Sequence, residues 1–418
     1  MLKPLHALLR KNHQNSQPKA EQKVDFDLTK QAVQAEQKED LPWFTPNLRV
    51  LPHYERLNQE IINYVKFAQL TVEEKLARDD LVSRISKQIN LVIKAEVHAY
   101  GSYASDLASY YSDIDIGVES DQKIPLHVMM RINQLLTETI GKCQYIQAKV
   151  PIIRGTCMTT LIDFDISFNN VGDTLKDVQN ALKVNPIERA LILVIKAFLR
   201  QRGLNTPHTG GISGHILTQM VQAYQQNRLS IFPYPLKENL KFATSLMEFF
   251  ELYGVLFNSK QVYILRNLSD KLEFRCRGDK IYYQVENQNQ LVIITMTNNV
   301  AKDIAGGAYN FRTIRLSFEV NYFSLQQKSG QESILQKLIS VDQFGRFTRE
   351  KSILMSKSID QSMDDSSSRS VVLDFEKIVN VDSDDEESEE KPAAKPKVSP
   401  GRSLFMSQYG KKSRFDLD

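Results

Sequence analysis

Residues 100–118 read YGSYASDLASYYSDIDIGV. A Gly-Ser pair, Gly101 and Ser102, is followed, after ten intervening residues, by Asp113-Ile114-Asp115-Ile116, in which polar and apolar side chains alternate. Alternation with a period of two is the mark of a half-buried strand, and on a strand residues i and i+2 share a face. Asp113 and Asp115 therefore point one way, while Ile114 and Ile116 face a core. Two neighbouring carboxylates repel each other. The compensating charge that keeps open positions for substrate phosphates is a hard divalent cation, Mg2+ or Mn2+.

A second alternating run, LIDFDISF at 161–168, carries Asp163 and Asp165 on one face. On geometry alone either of them can join Asp113 and Asp115. Three carboxylates on adjacent strands can hold two ions about 4 Å apart, an arrangement that activates an attacking oxygen and neutralises the leaving one in phosphoryl transfer. The Gly-Ser pair completes the chemistry. Gly101 lets the backbone approach a ligand, and Ser102, opening the helix that follows, offers its hydroxyl and free N–H groups to a triphosphate. A bare Asp-x-Asp is most often a solvated strand edge; its conjunction with the Gly-Ser pair and a later acidic strand points to a nucleotide site.

The rest of the chain sets the frame. With 418 residues and 42% hydrophobic content it can bury two or three cores. No apolar run reaches the roughly twenty residues of a membrane span, so no membrane partner is expected. The opening MLKPLHALLRKNHQ lacks the apolar centre of a signal peptide, with a mitochondrial presequence as the minor alternative. Cys143, Cys157 and Cys276 are far apart and form no Cys-x-x-Cys pair, so neither a disulfide framework nor a zinc ribbon is indicated. The net charge of +3 is uneven: residues 359–390 hold 12 Asp and Glu against 2 Lys and Arg, leaving the remainder at +13. A basic body with an acidic segment suits a polyanionic partner.

Composition and periodicity divide the chain into a disordered tail over 1–41, helices over 42–94 belonging with a central domain, a catalytic domain over 95–185, a mostly helical central domain over 186–328, and a mostly disordered tail with the acidic segment over 329–418. Thr71 with Glu74 reads as a capping box opening one helix. Asn185 and Pro186 open another, which Arg200, Arg202 and Gly203 close. Between 95 and 168 short alternating runs surround one helical segment near 126–140. The fold class is α+β, a mixed sheet with helices beside a helical domain, with a cleft between them.

The Gly-Ser pair, its spacing and Asp-apolar-Asp-apolar resemble the nucleotidyltransferase superfamily of DNA polymerase β. Further blocks narrow this: LNQEIINYVKF (57–67), LTVEEKLARDDLV (70–82), FDISFNN (164–170), LILVIKAFLRQRGLN (191–205), TGGISGHIL (209–217) and MEFFELYGVLFN (247–258). Over about 42–325 they resemble the noncanonical poly(A) polymerases and terminal uridylyltransferases, among them the poly(A) polymerase of the TRAMP nuclear surveillance complex. The resemblance implies a polymerase β-like palm with a PAP-associated central domain. It implies template-independent addition of nucleotides to an RNA 3′ end, most simply AMP from ATP, alternatively UMP from UTP, with two Mg2+ or Mn2+ ions.

Residue by residue, the resemblance makes Asp113 and Asp115 ligands of both ions, and its Asp-Ile-Ser-Phe pattern selects Asp165 over Asp163 for the third. It assigns Lys196 and Ser213 to the triphosphate, beside Gly101 and Ser102. Asn169 falls to the sugar or base of the nucleotide. A turn or cap is the plainer role for Asn169 and Ser213, and a snorkelling lysine the plainer one for Lys196. There are departures. His215 stands where relatives usually have a tyrosine for base stacking. The segment ITMTNNVAKDIAGGAYNFRTI (294–314) lacks the usual Glu-Asp-Pro entry and has Gly306 where arginine is common, while Asp303 is retained as a candidate for base selection.

There is no zinc knuckle or RRM signature, so RNA affinity is expected from a partner, by resemblance a zinc-knuckle RNA-binding protein together with a helicase. KPAAKPK and GKKSR are weak nuclear-import signals, giving a nuclear expectation with a cytoplasmic alternative. The competing reading from another class is a catalytically inactive nucleotidyltransferase fold kept as a scaffold.

Overall fold

The structure, a computed structural model, describes residues 41–148, 150–169, 184–277, 290–297 and 300–360. The expected tail over 1–41, all but its last residue, and the acidic segment, all but its first two residues, lie outside them.

Two helices open the described chain: α1 (His53–Ala68) and α2 (Val72–Asn90). The box at the start of α2 forms in both directions. Glu74 N donates to Thr71 Oγ1 at 3.2 Å and Thr71 N to Glu74 Oε2 at 2.8 Å, so two backbone donors that a helix start would leave orphaned are satisfied. Then come β1 (Glu96–Tyr100), the single turn α3 (Gly101–Ala104), β2 (Ile114–Glu119), α4 (Leu126–Thr139), β3 (Gly141–Ile146), β4 (Ile152–Cys157) and β5 (Asp163–Phe168).

These strands form one sheet in the order β1-β2-β5-β4-β3. β2 and β5 run parallel, and the other neighbours are antiparallel. The even-numbered residues Ile114, Ile116, Val118, Phe164, Ile166 and Phe168 turn to one face, where Leu81, Ile85 and Ile89 of α2 and Met129, Ile132 and Leu136 of α4 cover them. Period-two alternation then commits the odd-numbered acids to the opposite face.

The domain boundary is a correction. The helices over 42–94 were expected together in the central domain, but only α1 lies there: Asn58 Oδ1 accepts from the backbone N of Phe242 and Ala243, at 2.9 and 3.2 Å. α2 packs on the five-stranded sheet, where its apolar stripe of Leu81, Ile85 and Ile89 covers the buried face of β2 and β5 together with α4.

The central domain contains α5 (Pro186–Gln201), α6 (Gly214–Ile231), α7 (Lys241–Phe250, continued by a wider turn to Leu256) and α8 (Phe311–Gln326). A small sheet in the order β7-β6-β8-β9 joins them, built from β6 (Val262–Arg266), β7 (Leu272–Cys276), β8 (Ile293–Thr297) and β9 (Val300–Asp303). Phe198, Phe249, Phe250 and Phe318 stack in the middle, with ring centroids 5.3 to 6.3 Å apart. The chain stays folded past 328, where the tail was expected to begin. A turn at Leu335–Lys337 accompanies Ser333, whose hydroxyl donates to buried Glu60, and a last helix, α9, spans Gln343–Asp360. Among the described residues no helix is long and apolar enough to cross a membrane.

Candidate active site

Parallel pairing of β2 with β5 sets Asp115 directly beside Asp165, a separation of about 5 Å between backbones. On the other side Asp115 is in register with Tyr100, the residue before Gly101. Gly101 has φ +64°, and a Cβ there would lie 2.1 Å from Asp115 Oδ2. Only glycine permits this backbone to sit against that carboxylate, both for its left-handed conformation and for the space. The sequence reading placed a ligand against Gly101; the close approach the structure shows is to the Asp115 carboxylate.

The Asp115 carboxyl is pushed up to about 7, first by burial and then by the charge of Asp113, with Lys196 opposing and Asp165 adding. Lys196 stands on α5 and donates to Ser112 Oγ at 3.1 Å. Burial lowers its pKa, and Asp113 and Asp115 pull it back up. Asp113, Asp115, Asp165 and Lys196 therefore share one electrostatic neighbourhood. Its charge is net negative, the condition that a divalent cation relieves.

Asp165 is held by a residue the sequence analysis did not single out. Arg154, opposite it on β4, donates from Nε to Oδ1 at 2.8 Å and from Nη2 to Oδ2 at 2.7 Å. Among the described residues no group of three or more His, Cys, Asp or Glu side chains is gathered into a metal cage, and this bidentate pair accounts for the orientation of the third acid. The donor set still suits a divalent ion: hard oxygen ligands, in register, with the repulsion expressed in the raised Asp115 pKa. Asp163 is spent on Thr156, whose hydroxyl donates to it at 2.6 Å. The run AKVPIIRG holds a signal for Arg154, since it alternates, but not for which strand it would face.

The Gly-Ser turn is anchored firmly. Ser102 is the second residue of α3, whose cap is Tyr100, so it does not open the helix as expected; its carbonyl accepts from Leu107 N at 2.9 Å. Asp106, at φ +56°, pairs with Lys75 of α2 and Arg189 of α5, both at 2.9 Å. Tyr103 donates to Asp79 at 2.5 Å. Arg78 of α2 is fully buried and donates to the carbonyls of Tyr110 and Ser112, at 3.4 and 3.1 Å, just before Asp113. Its sequence signal was available: Arg78 falls on the same helical stripe as Leu81 and Ile85.

The remaining candidates stand on other elements. Ser213 caps α6, accepting from Ile216 N at 3.3 Å, with His215 one residue inside the helix. That turn meets the loop after β9: Asn310 N donates to Gly210 O at 3.1 Å, and Tyr309 OH to His208 O at 2.9 Å. Asp303, which burial shifts upward, accepts from Ile293 N and Ala305 N and so holds that loop to β8. Asn169, at φ +48°, sits four residues beyond Asp165, roughly 13 Å along a strand. Both ends of its amide are engaged, accepting from Ser120 N at 3.1 Å and donating to Gln122 O at 2.9 Å. As placed, Asn169, Ser213 and Asp303 all make turn or cap contacts.

Comparison with known proteins bears on this arrangement. Residues 57–201 match the family model of the central palm domain of mitochondrial-like poly(A) RNA polymerase. The chain is 29% identical over 271 residues to poly(A) RNA polymerase CID14 of Cryptococcus neoformans, covering 62% of this chain and 35% of that protein. To poly(A) RNA polymerase protein 2 of Saccharomyces cerevisiae it is 27% identical over 275 residues, covering 63% and 46%. It thus spans about a third to a half of these relatives' lengths. Among solved structures, the polymerase core of TRAMP, an RNA surveillance complex, superposes with a TM-score of 0.62 at 25% identity over 69% of this chain and 95% of that one. Through residues 57–201 this chain is thus similar to the palm of poly(A) RNA polymerases, and over 69% of its length it is similar in fold to the TRAMP polymerase core.

Proposed function

We propose that this protein adds nucleotides without a template to the 3′ end of RNA, taking AMP from ATP. The observation that carries the reading is the in-register pair Asp115–Asp165 with Gly101 pressed against the Asp115 carboxylate. Asp113, Asp115 and Asp165 would hold two Mg2+ or Mn2+ ions, which when bound supply charge neutralisation and an activated 3′-hydroxyl. The chain's own part is positioning. Gly101 and Ser102 line the approach of the triphosphate, and Lys196 supplies a fixed positive charge behind the acids. Ser213 is proposed to hold the triphosphate, while His215, in the first turn of α6, and Asp303, at the end of β9, flank two loops that pack on each other and are proposed to read the base.

A scaffold reading is favoured by one observation, the Arg154–Asp165 pair, which ties up the third acid. Against it stands the cost of keeping an acid whose pKa is raised to about 7 beside two others with nothing to bind. Incubation of the full chain with an RNA primer, Mg2+ or Mn2+ and each NTP in turn decides between them. Metal-dependent extension with ATP, abolished in Asp115→Ala, is the expected result. Extension with UTP alone would make the protein a uridylyltransferase, and no extension with any NTP would leave the scaffold. The proposed setting is nuclear RNA surveillance, with a zinc-knuckle RNA-binding protein and a helicase as partners.

A further inference from the structure

We infer that α9, through Arg349 and Gly345, positions the metal-ligand segment at the start of β2, although it lies beyond the residues matched by the family model. The inference rests on the nucleotidyltransferase reading of the site.

Between the Gly-Ser turn and β2, the backbone at Ser109–Ser112 is irregular, and its place is fixed from outside. Tyr110 N donates to Ala68 O at 2.9 Å, and Ser109 forms a single bridge with Gln69. Arg78 holds the carbonyls of Tyr110 and Ser112 from below. Asp113 follows directly.

Arg349 and Gly345 of α9, with Asp342 just before it, lock this assembly. Arg349 donates to Glu74 Oε1 at 2.9 Å, to Phe67 O at 2.8 Å and to Gln69 O at 2.9 Å, and its guanidinium lies over the Tyr110 ring, 4.7 Å from the centroid. Glu74 is fully buried and also lies in the field of Arg78, so one carboxylate ties α9 to the cation under Asp113. Just before α9, Asp342 pairs with Arg200 of α5, whose guanidinium lies 4.5 Å from the centroid of the Tyr111 ring, and Asp342 N donates to Tyr110 OH at 3.3 Å. At Gly345 a Cβ would stand 2.8 Å from the Tyr110 ring and 2.9 Å from Tyr111 Cβ. A guanidinium, an ion pair and a missing side chain thus converge on the two tyrosines two and three residues before Asp113.

A two-ion site tolerates displacements of only about half an ångström in its ligands. Removing Arg349 frees Phe67 O, Gln69 O and one side of Glu74 together, so the segment and Asp113 are expected to shift. Arg349 touches neither substrate nor ion; it acts through Glu74, Arg78 and Tyr110.

The test is Mn2+ binding to the full chain without RNA or nucleotide, by titration calorimetry, with Asp115→Asn defining the site. Arg349→Gln is expected to weaken Mn2+ binding about tenfold or more, with Arg349→Lys intermediate. In primer extension, the Mn2+ concentration for half-maximal rate should rise while the rate at saturating Mn2+ recovers substantially, a split that mere loss of stability would not produce. Gly345→Ala should shift Mn2+ binding in the same direction, and Glu350→Gln, on the exposed side of α9, should leave it unchanged. If Arg349→Gln does not fold, Gly345→Ala decides. Wild-type Mn2+ affinity in folded Arg349→Gln and Gly345→Ala overturns the inference and leaves the polymerase reading standing, as does failure of both to fold, which would make α9 a structural strut. Equal Mn2+ binding by wild type and Asp115→Asn overturns the site itself.

Discussion

At Asp115 the chemistry of the site and the stability of the fold pull against each other. Its carboxyl is raised from an ordinary 3.8 to about 7 by burial and by the charge of Asp113. Below pH 4 the side chain is protonated in folded and unfolded chains alike, and it costs nothing. Between pH 4 and 7 the unfolded chain ionises first, so a folding penalty grows with pH and is complete above 7, at most a few kcal/mol. Asp115→Asn is therefore expected to raise the melting temperature of the metal-free protein at pH 8 by a few degrees and to leave it unchanged at pH 4. The same variant should lose nucleotide addition by on the order of 10³-fold or more. Because an ion must displace a proton from Asp115, Mn2+ affinity should fall up to tenfold per unit as pH drops below 7, read by calorimetry at constant ionic strength. Arg154 acts in the opposite sense to a ligand. With both its bonds on Asp165, it competes with a cation for that acid, so Arg154→Gln should tighten Mn2+ binding several-fold in the absence of nucleotide.

At the scale of elements, α5 carries Lys196 toward the acids, and its start is fixed by a reciprocal box between Asn185 and Glu188, at 2.9 and 3.0 Å. Asn185→Ala removes one of these bonds and is expected to cost about 1 kcal/mol, measured by urea unfolding. The β2–β5 pair was readable as two alternating runs, yet nothing local in them says that they are neighbours or that they run parallel. Register matters because a slip of one residue would turn Ile114 and Ile116 to the site and both acids into the core. α2 shows the limit from the other side. Its apolar stripe was legible, but its partner sheet was not, since a stripe states only that something apolar covers it.

For the whole described molecule, the central helices are held by an aromatic core, and Phe318 of α8 stacks on Phe198 and Phe250 with centroids 5.8 and 5.3 Å away. Phe318→Ala is expected to cost 3–5 kcal/mol, as large-to-small changes in packed cores do, and to lower the melting temperature without altering Mn2+ affinity at a temperature where the variant remains folded. Sequence alone determined what is short-range, because alternation and caps are local: which residues form strands, which acids share a face, and where α5 begins. Only the tertiary structure decided that Arg154 holds Asp165, that Arg78 and Arg349 brace the segment before Asp113, that Asn169 and Asp303 are occupied by backbone partners, and that α9 exists as part of the fold. Apart from the Asp303–Ala305 bond, these contacts join residues 10 to 282 positions apart, and a charge or an amide carries no mark in the sequence of the partner it will meet once the chain has closed on itself.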